Sequence, residues 1–208
     1  MVFAIATFSL AAALIVLLPG PDTLVVIRSI VRGGRPAGVA TATGNLVGLA
    51  VWVAAASLGL AALLRASHAG YEILRIAGAV YLVWLGVQSI RNRAVPRAAA
   101  GPAEPRRRRN LVGTGFRAGV ITNLLNPKVG VFFVTFLPGF VPHGDSVGLT
   151  SFLFGAIFIL ETAGYWVVLL SLATKVTAWM AQARTKRRLD TATGAILIGF
   201  GLRLAVES

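Results

Sequence analysis

Six stretches of this chain stay apolar over the 20 or so residues that a bilayer-spanning helix needs, and together they occupy nearly its whole length. They fall at residues 3–29, 38–64, 70–91, 111–137, 147–174 and 188–206. With 56% hydrophobic and 13% charged residues grouped in this way, the chain has little with which to cover a water-soluble globule. The expectation is an all-α polytopic membrane protein of six transmembrane helices. The opening "MVFAIATFSLAAALIVLLPGPD" has no basic segment before its apolar run and no small-x-small cleavage site, so it reads as a retained first span rather than a signal peptide.

The formal charge of +13 would point to nucleic acid in a soluble chain, so the distribution of the cations decides. Sixteen of the 20 Lys and Arg residues lie in the first, third and fifth loops, around Arg28 to Arg35, Arg91 to Arg117 and Lys175 to Arg188. The fourth loop, "GFVPHGDSVG", has none. Basic loops on one side follow from the positive-inside rule, which puts the odd loops in the cytoplasm and both termini outside. Nucleic acid is excluded as a partner, and the run Arg106 to Arg109 reads as an anchor against lipid headgroups. The chain has no cysteine, and His68 and His143 are far apart, so neither a metal site nor a cofactor is expected. An enzyme is disfavoured as well, for there is no His/Cys cluster, no serine-centred motif and no carboxylate pair within one helix.

The one long hydrophilic connection divides the chain into a first three-helix unit (1–92), a basic cytoplasmic linker (93–110) and a second three-helix unit (111–208). Spans three and six align weakly through Gly78 and Gly194, while spans one and four share a proline followed at once by a charge, in "LLPGPD" and "LLNPK". With three spans in each unit, the second enters the membrane from the opposite side, so the expected symmetry is an inverted repeat. Paired broken helices in inverted repeats point to a secondary transporter with its site where the repeats meet.

The breaks supply the candidate residues. Pro19, Gly20 and Pro21 should open the first span over about a turn, and Pro127 the fourth. Opened backbone survives in a membrane only where it faces protein or a watery cavity, so both breaks should face inward. Asp22, Lys128 and Glu161 are charges within spans, which makes each a functional candidate. Asp22 can cap the helix after the break, bind substrate or carry a proton. Lys128 can serve as its counter-ion or receive a substrate carboxylate, with Asn123 and Asn126 adding donors and acceptors nearby. Glu161, after Phe158-Ile159-Leu160, can exchange a proton during transport or simply hydrogen-bond between helices. In the second span, Gly44 and Gly48 permit close helix approach, and Asn45 can line a polar path or bond to a neighbouring helix.

The segments "LLPGPDTLVVIRSIVRGGRPAGVATATGNLVGL", "LRIAGAVYLVWLGVQSIR" and "FRAGVITNLLNPKVGVFF", in this order, resemble the LysE/RhtB amino-acid exporters, in particular the homoserine/threonine-type branch. The resemblance covers most of the chain. It implies a bacterial inner-membrane exporter of amino acids or close derivatives, driven by the proton gradient. The family motif falls on Pro19, Gly20, Pro21 and Asp22, on Gly44 and Gly48, and on Asn126, Pro127 and Lys128; Glu161 has no counterpart in it. The expected mechanism is proton antiport by alternating access, with a zwitterion held between Asp22 and Lys128. The alternative is a passive channel for small polar solutes. Glycine-rich faces leave room for a homodimer.

Overall fold

Away from water a backbone must satisfy its own N–H and C=O groups, and helices do so within one segment. The computed structural model describes residues 1–60, 67–91, 108–142, 144–173, 175 and 183–206, and among these there are helices and no strands. They are α1 (Val2–Leu17), α2 (Pro21–Ala55), α3 (His68–Arg91), α4 (Arg108–Leu124), α5 (Pro127–Val131), α6 (Val147–Ser171) and α7 (Ala183–Val206). A π-helical turn, Ala56–Leu60, extends α2, and α5 runs on through a π turn and a 3-10 turn to Phe140. The chain is an all-α polytopic membrane protein, as its apolar runs predict.

Four helices are each long and apolar enough to cross a membrane, and the bent pair Val112–Leu124 and Pro127–Phe140, at 46°, makes a fifth pass. The helix α1 is apolar but shorter than these. The 16 residues of α1 span about 24 Å, short of a bilayer, whereas the 35 of α2 span about 52 Å, more than one crossing requires. Gly34 resolves the mismatch. It sits inside α2 at φ 72°, ψ −171°, a backbone that side chains with a Cβ rarely adopt, and Pro36 follows. Gly34 thus divides α2 into two helical segments, the first of which follows α1 across the break at 18–20.

The expected first loop is therefore helical on both sides of a kink at Gly34, with Pro36 in the first turn of the helix that follows, where its missing N–H costs no bond. The apolar part of the fourth span starts at Val112, beside the expected 111, while its helix α4 begins earlier, at Arg108 within the predicted linker. The rest of the linker, at 93–107, lies outside the described residues, as do Asn92, Arg65 and His143.

Two helix pairs make the closest contacts, α2 with α4 and α3 with α7. In lipid such association depends on close packing rather than on apolar burial, and small residues permit it. A Cβ on Gly44 would overlap the Phe116 carbonyl, and one on Gly119 the Thr41 carbonyl. Gly86 and Gly194 bring α3 and α7 together in the same manner, and Ser89 Oγ donates to the Asp190 carbonyl at 2.9 Å. On the far side of the two breaks lies an aromatic core. Phe8 stacks on Phe154 with centroids 4.5 Å apart, and Phe132, Phe136, Phe140, Phe158 and Phe200 continue the cluster. Leu10, Val31, Ile73, Val80, Leu160 and Val167 point outward, as lipid-facing side chains should.

Candidate substrate site at two helix breaks

Proline leaves without a partner the carbonyl four residues before it, so each break creates orphaned oxygens. In the first break α1 ends at Leu17, Leu18 is extended, and α2 is entered through Gly20 with Pro21 at its first position. No side chain caps this helix, so Asp22 is not an N-cap; it sits in the first turn, where the helix dipole favours a carboxylate. In the second break Asn126 is extended at φ −78°, ψ 107°, with Pro127 following at the first helical position. Here there is a cap: Asn126 Oδ1 accepts from the Lys128 backbone N–H at 3.1 Å.

The orphaned carbonyls are answered from across the molecule. Pro19 cannot bond the Ile15 carbonyl, and Lys128 Nζ donates to it at 3.1 Å and to the Leu18 carbonyl at 3.0 Å. Pro127 cannot bond the Asn123 carbonyl; the Asn126 backbone N–H donates to that oxygen instead at 3.0 Å, and Trp52 Nε1 adds a second bond to it from α2 at 3.3 Å. In return Asn126 Nδ2 donates to Asp22 Oδ2 at 2.6 Å. Asp22 and Lys128 influence one another through their charges but form no hydrogen bond with each other. Gly20 leaves room for the lysine, since a Cβ there would lie 3.4 Å from Nζ.

Beside these groups is a small cavity of about 30 Å³, bounded by Asp22, Thr23, Asn45, Asn123 and Lys128 on its polar side and by Ile15, Leu49 and Phe158 on its apolar side. Thr162, Tyr165 and Trp166 of α6 complete the wall. The volume suffices for a water molecule or two, not for an amino acid. Three polar atoms bordering it have no partner in the protein, namely Asp22 Oδ1, Asn45 Nδ2 and Asn123 Oδ1. Asn45 and Asn123 are both 2% exposed, so water outside the protein does not reach them. Unpaired polar atoms are costly in such surroundings, so this cavity offers two acceptors and one donor to a small polar guest.

The structure thus brings Asp22, Asn45, Asn123, Asn126 and Lys128 together, while Pro19, Gly20, Pro21 and Pro127 shape the breaks behind them. Glu161 stands apart. It lies on α6 beside the cavity-lining Thr162 but outside the wall, with Oε2 buried and unbonded. Sequence reasoning passed over Trp52, Thr23, Thr162, Tyr165 and Trp166. The position of Tyr165 and Trp166 well inside a span was a usable signal, because these residues ordinarily favour the membrane interfaces.

A bundle of membrane-crossing helices, two of them broken where buried charges meet at a small cavity, has the form of a membrane transport protein. Residues 13–208 match the family described as LysE type translocator, and the chain belongs to that family, whose members are translocators rather than enzymes. It is 30% identical over 190 residues to a threonine efflux protein of Escherichia coli K12, covering 91% of each chain. It is 32% identical over 206 residues to a leucine efflux protein of Enterobacter sp. strain 638, covering 96% of this chain and 93% of the other. An uncharacterized membrane protein of Pseudomonas aeruginosa is 33% identical over 211 residues, covering 97% and 94%. No solved structure matches the chain.

Proposed function

We propose that the protein exports neutral α-amino acids or close derivatives across the bacterial inner membrane, by alternating access and in exchange for protons. The observation that carries this reading is the meeting of the two helix breaks at Asp22, Asn126 and Lys128 beside unpaired acceptors and a donor. The threonine and leucine efflux proteins among the relatives support the substrate class and the direction. Asp22 faces the substrate ammonium and, with the substrate gone, is free to take up a proton. Glu161, a second carboxyl within a span, is the other candidate proton carrier.

Alternating access is favoured over a passive channel because the space beside the breaks, about 30 Å³, is too small to pass an amino acid. The glycine contact of α2 with α4 and the phenylalanine cluster around Phe8 pack the helices tightly about it. The distribution of basic residues supports placing the glycine contact toward the cytoplasm and both termini outside. The paired breaks support an inverted repeat, with residues 1–92 opposed to 111–208. A homodimer is compatible with the glycine-rich faces.

An export screen tests the function. In cells over-expressing the chain, at least one neutral amino acid should accumulate in the medium above the vector control. If none of the amino acids does, the reading fails.

A further inference from the structure

Asn45 is held with one particular edge toward the cavity. Trp166 Nε1 can only donate, and it does so to Asn45 Oδ1 at 3.2 Å, which turns the amide so that Nδ2 points the other way. That nitrogen borders the same cavity as the Asp22 carboxylate and has no hydrogen-bond partner in the protein. Asp22 Oδ1 is unbonded as well, and so is Asn123 Oδ1. One buried donor and two buried acceptors thus line one cavity, and each would gain from a partner.

An α-amino acid fits this arrangement because its ammonium and its carboxylate are substituents of one carbon. Its donors and acceptors can therefore enter side by side between a waiting acceptor and a waiting donor. Lys128, the other cation at hand, already spends two of its three N–H donors on the Ile15 and Leu18 carbonyls. Drawing it to a substrate would reopen the first break.

Resting on the exporter reading, we propose that Asn45, turned by Trp166, binds the substrate carboxylate, that Asp22 Oδ1 and Asn123 Oδ1 receive the ammonium, and that Lys128 holds the break instead of the substrate. Asn45 is then a specificity residue for the acid group. Trp166 is a positioning residue that acts through it.

The test compares an acid with its amide. Purified protein in proteoliposomes is assayed for transport of labelled L-threonine and L-leucine, with the unlabelled acids and L-threoninamide and L-leucinamide as competitors. Asn45→Asp keeps the size of the side chain but sets a repelling group against a carboxylate, so the preference for acid over amide should fall by about tenfold or more. Trp166→Phe frees the amide to rotate, and the same preference should fall by about threefold. Gel filtration reports whether each variant is folded, and the tryptophan variant carries the test if the aspartate variant is not. Wild-type transport with the acid-to-amide preference unchanged within about twofold in the folded variants overturns this assignment alone. Absence of transport by the wild-type protein overturns the exporter reading and this assignment with it.

Discussion

Asn126 Nδ2 lies 2.6 Å from Asp22 Oδ2, so a residue of the second helix break holds the carboxylate of the first. Lys128 returns the connection by binding the Ile15 and Leu18 carbonyls on the other side of the first break. Neither break can change shape without disturbing the other. For a transporter this is a direct mechanical link, since a substrate drawn to the free Oδ1 of Asp22 pulls on the carboxylate that the second break holds by its Oδ2.

Replacing Lys128 by Met removes both donors and leaves two carbonyls unsatisfied in a water-poor site. Each such group costs about 1–3 kcal/mol, so Lys128→Met should unfold at a clearly lower temperature in detergent, followed by the fluorescence of the four tryptophans. Lys128→Arg retains donors and should lose less. A Met variant as stable as the wild type would show that the lysine does not hold the break.

The glycine contact between α2 and α4 makes a prediction with internal controls. Gly44→Ala and Gly119→Ala force a Cβ into a backbone carbonyl, whereas Gly59 and Gly164 have nothing within 4 Å of the same atom. The first two should each cost about 1–3 kcal/mol or prevent folding, and Gly59→Ala and Gly164→Ala should be near neutral. Equal melting temperatures across all four variants would contradict the packing.

Local features of this structure were legible in the sequence, and distant pairings were not. A proline inside an apolar run disrupts a helix wherever the helix lies, so both breaks and their charges could be read directly at Pro19, Pro21 and Pro127. The partners that satisfy them could not. Trp52 answers the Asn123 carbonyl across 71 residues, and Trp166 orients Asn45 across 121. Hydropathy located the passes but not the turn at Gly34, because a single left-handed glycine leaves no trace in a window about 20 residues wide. Asp22 was weighed as a helix cap on its position alone; the helix instead starts uncapped at Gly20, and the capping asparagine is at the other break.

Glu161 separates proton coupling from binding. It borders no part of the cavity wall, so Glu161→Gln should leave the substrate KM within about twofold of wild type. If this carboxyl carries the proton, the same variant should lose the acceleration of transport by a pH gradient. Retained acceleration would remove Glu161 from the coupling path and leave Asp22 as the proton carrier.

The most direct test of the site is transport by Asp22→Asn in proteoliposomes with an imposed pH gradient, measured beside the wild-type protein. Wild type should move labelled L-threonine or L-leucine in a saturable, gradient-driven manner. The asparagine variant, which keeps the size of the side chain but loses the carboxylate that faces Asn126 and the cavity, should retain less than about a tenth of that rate. Full transport by Asp22→Asn, or wild-type flux that neither saturates nor responds to the gradient, would contradict a coupled exporter built on the two breaks.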